Sequence, residues 1–394
     1  MKKVRMMLCG VLAALMLAGC GGTGMGEYTL AEAGHPTARK TEDRVDTEAL
    51  RQFGDETAAV VFTGERNEVY SPVSLYVALG MLTELTDGET RQQVMALLSA
   101  ADTEALRQQI NRLWISVYQD GDAVCRLANA AFAREDADVK QAAVDALAEW
   151  YFASSYRVPM GTEEADEAIA SWLNQQTGGL LSEETGNIHT EKENLLRLYN
   201  TIYYKAGWLN AFESGQTGTD TFTAADGSKQ QVDFMHRTGE GTYRKGEGYT
   251  AAPKSLKYGR MVFVLPEEGV TPESLLQRQG FLSELAEGYE GARVIWSVPK
   301  FDVKSSVDLA DALKALGVAD AFEADKADFT PLTDNIAYVS SVMQAARVKI
   351  DEEGVEAAAY TEIVAKSDGA PEPSPVVEMN LNRPFAFAIW KDGA

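Results

Sequence analysis

The chain has little of what most catalytic sites are built from. Only three histidines and three cysteines occur in 394 residues. His35 falls in a polar N-terminal stretch, and His189 and His236 each stand alone. There is no HExxH, no CxxC and no Cys/His cluster spaced to hold zinc, and no GxSxG to form a nucleophile elbow. GEGTYR (239–244) and GEGYTA (246–251) begin like dinucleotide loops, but each lacks the third glycine and a preceding apolar strand, so both read as turns. Positive charge is also scarce: 36 Lys and Arg stand against 59 Asp and Glu, a net charge of −23. Such a surface repels nucleic acid and anionic headgroups. With carboxylates this numerous, no acid/base pair stands out, and most belong to solvated faces. The pattern offers no enzyme, no metal site and no organic cofactor.

Long apolar runs are missing as well. One run of about 14 residues follows Lys2, Lys3 and Arg5 and is too short to cross a bilayer. Ending in Leu17-Ala18-Gly19-Cys20, it has the layout of an export signal and resembles the bacterial lipobox. That resemblance implies removal of residues 1–19, a diacylglyceryl thioether on Cys20, and a surface-anchored or extracellular location. Loss of Lys2, Lys3 and Arg5 leaves 33 basic against 59 acidic side chains, net −26, so attachment has to come from the lipid. Cys125 is then the one cysteine left in the folded body; no intramolecular disulfide is available, and the core has to hold the fold. In its apolar setting, AVCRLANAAF, it reads as a small buried hydrophobe.

Residues 20–45 are polar and Gly-rich and read as a flexible tether carrying the lipid; 46–394 reads as one folded domain. SPVSLYVALGMLTELTDGETRQQVMALLSA predicts two helices around Asp87-Gly88, with Val77, Met81 and Leu85 on one face and Val94, Leu97 and Leu98 on another. Leu309, Leu313 and Leu316 align on a further helix ending at Gly317. MVFVLP, ARVIWSVPKF, VMQAARVKI and FAFAIW predict strands, mostly in the second half. Helices early and strands late, without a βαβα rhythm, give an α+β class with sizeable sheets.

One stretch, EEGVEAAAYTEIVAKSDGAPEPSP from Glu352, combines two tendencies. Split by parity, Val355, Ala357, Ala359, Thr361, Ile363 and Ala365 are small or apolar, while Glu356, Ala358, Tyr360, Glu362, Val364 and Lys366 are mostly polar. That is the period of a strand packed on one side. Helical spacing would leave Glu356, Tyr360 and Lys366 scattered without an apolar stripe. Yet Pro371, Pro373 and Pro375 follow and forbid a central strand. A segment patterned for burial but attached to an exposed chain is consistent only with two states.

Four stretches in order carry a family likeness. NEVYSPVSLYVALGMLTELTDGETRQQVMALL resembles the first long segment of serpins. LYNTIYYKAGWLNAF is similar to a second signature, with Asn200, Lys205, Trp208 and Phe212 in place. VPKFDVKSSVDLADALKALGVADAF resembles a third, and VKIDEEGVEAAAYT with NRPFAFAI resembles the reactive-loop hinge and the strand after it. The resemblance covers about residues 46–394 and implies helices packed on three β-sheets with an exposed reactive-centre loop.

It also implies suicide inhibition, since insertion of the cleaved loop as a new strand is an established behaviour of serpins. The loop is taken as substrate by a serine or cysteine protease, which forms an acyl-enzyme. The freed hinge then inserts, and about 14 residues at roughly 3.3 Å each carry the protease some 45 Å before water can deacylate it. The implied hinge runs through Glu353, Gly354, Val355, Glu356, Ala357, Ala358, Ala359, Tyr360 and Thr361, with Gly354 for the bend and uncharged residues on the buried side. The family spacing places the scissile bond at Asp368-Gly369; a shift of two gives Lys366-Ser367, the choice for a trypsin-like enzyme. Ser71, Ser74 and Asn200 match the family's polar positions under the sheet opening, and Trp208 its aromatic near the insertion point. Gln344 stands where many members carry histidine; its amide is expected to bridge those polar groups without pH sensitivity.

The partners implied are a target protease in a covalent complex and a membrane reached through Cys20, with the protein a monomer. The alternative is a non-inhibitory, serpin-shaped surface lipoprotein that binds or stores. One departure from the family is the end at Lys391-Asp392-Gly393-Ala394, where members continue into one more strand; a truncated sequence is expected, because a missing central strand would expose backbone donors and core.

Overall fold

The computed structural model describes residues 29–33, 45–64, 66–179, 186, 188–355 and 374–391. Cys20, the signal, and the loop from Glu356 through Pro373 lie outside the described residues, and with them both scissile-bond candidates.

The first described element is β1, Thr29–Ala31. It falls inside the stretch read as a tether, which is therefore not all unstructured. Three residues leave too short an apolar pattern to register in sequence; β1 exists because it pairs with another strand, β4 below.

Four helices follow: α1 (Thr47–Val61), α2 (Pro72–Leu85), α3 (Gly88–Leu97) and α4 (Thr103–Val117). Each starts where a side-chain oxygen takes up an unsatisfied backbone N–H: Asp46, Ser71, Asp87 and Asp102. Pro72 at the start of α2 loses no needed donor. The break between α2 and α3 sits at Asp87-Gly88 as expected, with Gly88 at a φ of 54°. Val77, Met81 and Leu85 are buried, but so are Leu75, Leu79 and Leu82; α2 is apolar all round because it runs through the core. Gly80 lets α4 approach it, since a Cβ there would come within 2.1 Å of Ile110 Cδ1. The same contact region holds a buried ion pair, with Arg107 of α4 donating to both oxygens of Glu84 at 2.8 and 2.7 Å.

The chain continues as β2 (Gln119–Asp120), β3 (Val124–Arg134), α5 (Gln141–Tyr151), β4 (Ala153–Val158), α6 (Glu163–Gln176) and β5 (Leu196–Gly207). Then come β6 (Gly218–Thr223), β7 (Lys229–Gly246), β8 (Tyr249–Ser255), β9 (Arg260–Pro266), α7 (Pro272–Leu276) and α8 (Phe281–Ala286). Last are β10 (Glu290–Pro299), β11 (Phe301–Asp308), α9 (Ala310–Ala315), β12 (Met343–Ile350), β13 (Gly354–Val355), β14 (Val376–Asn380) and β15 (Ala386–Trp390).

These strands form two hydrogen-bonded networks among the described residues, not three separate sheets. The first is eight-stranded, in the order β1-β4-β3-β5-β13-β12-β11, with β2 beside β3. The second is seven-stranded, β14-β10-β7-β8-β9-β15, with β6 beside β7. Two of the expected sheets are joined because β7 is 18 residues long: one end pairs with β6 and β10, and Arg244 to Gly246 pair with β8. ARVIWSVPKF, read as one strand, is split at Lys300, where the chain leaves the second network as β10 and enters the first as β11. The pattern stays apolar across the crossing because both networks face the same core.

Helix α6 lies on β3, β4 and β5, seated through Phe132, Val158, Ile169 and Trp172. Helix α2 lies against β5 within the largest apolar cluster. Leu309 and Leu313 anchor α9, and Gly317, at a φ of 94°, ends it. Cys125 is buried in β3, and burial pushes its thiol up to about 12.

Candidate functional site

Among the described residues, the middle of the eight-stranded sheet is bridged only at one end. Strands β5 and β12 form no ladder with each other among the described residues; what lies between them is β13, two residues long. Val355 pairs antiparallel with Ile350 on one side and Ala206 on the other, and Gly354 pairs with Gly207. Val355, Ile350 and Ala206 are all buried, so the first apolar residue of the alternating stretch points into the core.

The turn leading into β13 is built by Asp351. Its Oδ1 accepts from Glu353 N at 2.9 Å and Gly354 N at 3.2 Å, while its own N donates to Gly354 O. This is a side chain mimicking a turn, an ordinary use of Asp at the start of a turn. Sequence reasoning passed over it, although Asp three residues before Gly was the available signal.

Trp208 and Phe212 hold that turn from the β5 side. Trp208 N donates to Glu353 O at 2.8 Å, its indole Nε1 to Asp351 O at 2.9 Å, and Phe212 N to Glu352 O at 2.9 Å. Glu352 is fixed on its other side by Lys300 Nζ at 2.9 Å and by Thr217 Oγ1, which donates at 2.7 Å. Burial works against the Glu352 charge, but the hydrogen bonds from Lys300 and Thr217 outweigh it and hold the carboxyl below its usual range. Lys300 is raised in return, chiefly by the Glu352 bond.

Deeper in the slot, the expected polar residues do come together, in a different arrangement from the one read in sequence. Gln344 does not bridge Ser74 or Asn200. Its Oε1 accepts from Ser71 N at 2.8 Å and its Nε2 donates to Ser71 O at 3.1 Å, tying β12 to the start of α2. Ser71 Oγ accepts from Ser74 N at 3.2 Å as the α2 cap. Asn200 instead donates to Asn129 Oδ1, its partner across the β3–β5 ladder, and Asn129 donates on to Tyr151 O. Asn129 was missed because only the register places it opposite Asn200. Three buried oxygens, Ser74 Oγ, Asn200 Oδ1 and Thr201 Oγ1, have no hydrogen-bond partner among the described residues. Buried orphans of this kind usually await a partner.

Among the described residues, then, a two-residue strand sits at one end of the gap between β5 and β12, near buried oxygens without partners. The family description "Serpin (serine protease inhibitor)" matches residues 49–394. The chain belongs to the serpin family. Among related serpins, Serpin-Z2B of Triticum aestivum is 29% identical over 346 residues, covering 83% of this chain and 86% of that one. Plasminogen activator inhibitor 1 of Neovison vison is 28% identical over 343 residues, covering 82% and 84%. Tengpin, a thermophilic serpin solved in its native state, superposes with a TM-score of 0.82 at 24% identity, covering 92% of this serpin and 95% of tengpin. Human thyroxine-binding globulin complexed with its ligand superposes at 0.76 with 22% identity, covering 87% and 95%. These likenesses show the serpin fold, with helices packed on mixed sheets.

Proposed function

We propose that this serpin is a suicide-substrate inhibitor of serine or cysteine endopeptidases, acting by cleavage of the loop after Val355 and insertion of its N-terminal part between β5 and β12. The observation that carries the reading is the register of β13. Were the β13 pairing continued two residues at a time on insertion, Ala357 would come between Tyr204 and Val348, Ala359 between Ile202 and Ala346, and Thr361 between Asn200 and Gln344. The small residues meet the core side of the seam, and the Thr361 hydroxyl arrives beside the orphan Asn200 Oδ1. On the opposite face, Glu356 comes between Lys205 and Lys349. One register thus satisfies the apolar, polar and charged positions together.

The protease attacks the loop at Asp368-Gly369, or at Lys366-Ser367, and its nucleophile becomes acylated by the new carboxyl end. Insertion then has to outrun hydrolysis. The chain is further proposed to be exported and held by a lipid on Cys20; its N-terminal charge layout and the Cys20 context support this.

Incubation with proteases of acidic and basic preference tests the function. Loss of protease activity with an SDS-resistant band at the summed mass supports it, and mass spectrometry of the released fragment gives the bond. Clean cleavage with the protease still active throughout the panel leaves the non-inhibitory binding protein as the reading. Cys20→Ser, with release from the membrane fraction as readout, tests the anchor.

A further inference from the structure

Beneath the hinge entrance lies a side chain that the inhibitory cycle above does not use. Lys254, on β8, is 6% exposed. Its Nζ lies 4.3 Å from the centre of the Phe212 ring, 5.3 Å from that of Trp208 and 6.0 Å from that of Trp296. It donates to the Asn210 carbonyl at 2.7 Å. Three of these four contacts fall on residues 208–212, the segment whose backbone N–H groups and indole hold Asp351, Glu352 and Glu353.

The charged group facing Lys254 is Arg237 of β7, whose Nη1 donates to Ala211 O at 2.8 Å. Glu352, on the segment being held, is taken up by Lys300 and Thr217. A buried ammonium here has ring faces and one carbonyl in place of water, and a like charge nearby. Ring faces recover part of the lost hydration. Burial still wins and, with Arg237 adding to it, brings the amine down to about 7.

We propose that Lys254 is the positioning residue of the hinge entrance: its amine, docked on Asn210 and the three rings, seats the 208–212 segment, and protonation loosens that segment's hold on residues 351–353. The proposal rests on the insertion reading only for its consequence, the ease with which the loop enters. The docked state holds its proton weakly, with a value of about 7, whereas a side chain released to water returns to 10.5. Between those values the released state binds more protons, so opening is favoured as pH falls and levels off below about 7.

Hydrogen exchange at the Trp208 and Phe212 amides of the intact protein reads the opening directly, once intrinsic exchange is corrected for. The opening constant is expected to rise by up to about tenfold per pH unit from about pH 9 to 7 and to flatten below. Lys254→Met keeps the volume, removes the proton site and abolishes the dependence. Insertion of a synthetic peptide of residues 355–368 into the uncleaved protein is expected to accelerate with the same profile. A flat profile in the unmodified protein overturns the proposal, as does an unchanged slope in Lys254→Met. If that variant does not fold, the unmodified protein's profile still decides. A failed protease assay with this profile intact removes the inhibitory reading and leaves the entrance standing; the reverse result removes only the role of Lys254.

Discussion

Lys300 Nζ lies 2.9 Å from Glu352 Oε2, linking the residue where the chain passes from one sheet network to the other with the turn that feeds β13. Thr217 Oγ1 donates to the second oxygen of the same carboxylate. Glu352→Lys places two ammonium groups together and discards the Thr217 acceptor. The expected cost is about 1–2 kcal/mol, a fall of about 2–4 °C in melting temperature by calorimetry. Because the folded carboxyl is held below its ordinary 4.5, its stabilisation is complete above that value and lost as pH falls through the lower folded one. An acid-unfolding curve for Glu352→Gln that matches the unmodified protein contradicts this.

The Glu84–Arg107 pair makes a separate prediction for the helical core. The Glu84 carboxylate is nearly enclosed, with a side-chain exposure of 4%, and it also accepts from Tyr151 OH at 2.9 Å. Arg107→Met strands the charge and is expected to cost about 3 kcal/mol in urea unfolding. Adding Glu84→Gln to the variant is expected to return part of that loss, whereas simple additivity of the two changes refutes the coupling.

For the hinge, Ala359→Glu puts a carboxylate on the core side of the proposed insertion. An unpaired buried charge costs about 3–5 kcal/mol, enough to let hydrolysis win. The variant is expected to be cleaved at the same bond as the unmodified protein while giving free, active protease and no SDS-resistant band. Glu356→Lys, between Lys205 and Lys349 in the proposed inserted state, is expected to slow complex formation severalfold, and less in high salt.

Cleavage itself has a thermal signature. Insertion as proposed adds about a dozen hydrogen bonds over its two ladders together, each worth roughly 1 kcal/mol. At about 2 °C per kcal/mol, the nicked protein is expected to melt about 20 °C above the intact one. Equal melting temperatures for the two forms contradict insertion.

Much of this site was legible in sequence because it is written locally. The Ser71-Pro72 helix start, the Asp87-Gly88 break and the apolar Val355 at a strand entry need only neighbours along the chain to be recognised; the alternating stretch after Val355 lies outside the described residues. What escaped was fixed by pairing across distance. Asn129 matters through its place opposite Asn200, and Lys254 through three rings drawn from two other places in the chain. Gln344 was placed on the right strand, yet its partner is the Ser71 backbone, which a side-chain inventory does not reveal. The β10–β11 crossing is hidden for a related reason: Val298 and Phe301 pack in one apolar cluster on either side of Lys300, and a single charged residue does not by itself mark a change of sheet.

Strand β1 has a mechanical consequence. It is zipped alongside β4 at the rim of the eight-stranded sheet, with β3 and β5 standing between it and the central seam. Traction on β1 from its N-terminal side therefore loads the rim in shear, three strands away from the gap between β5 and β12.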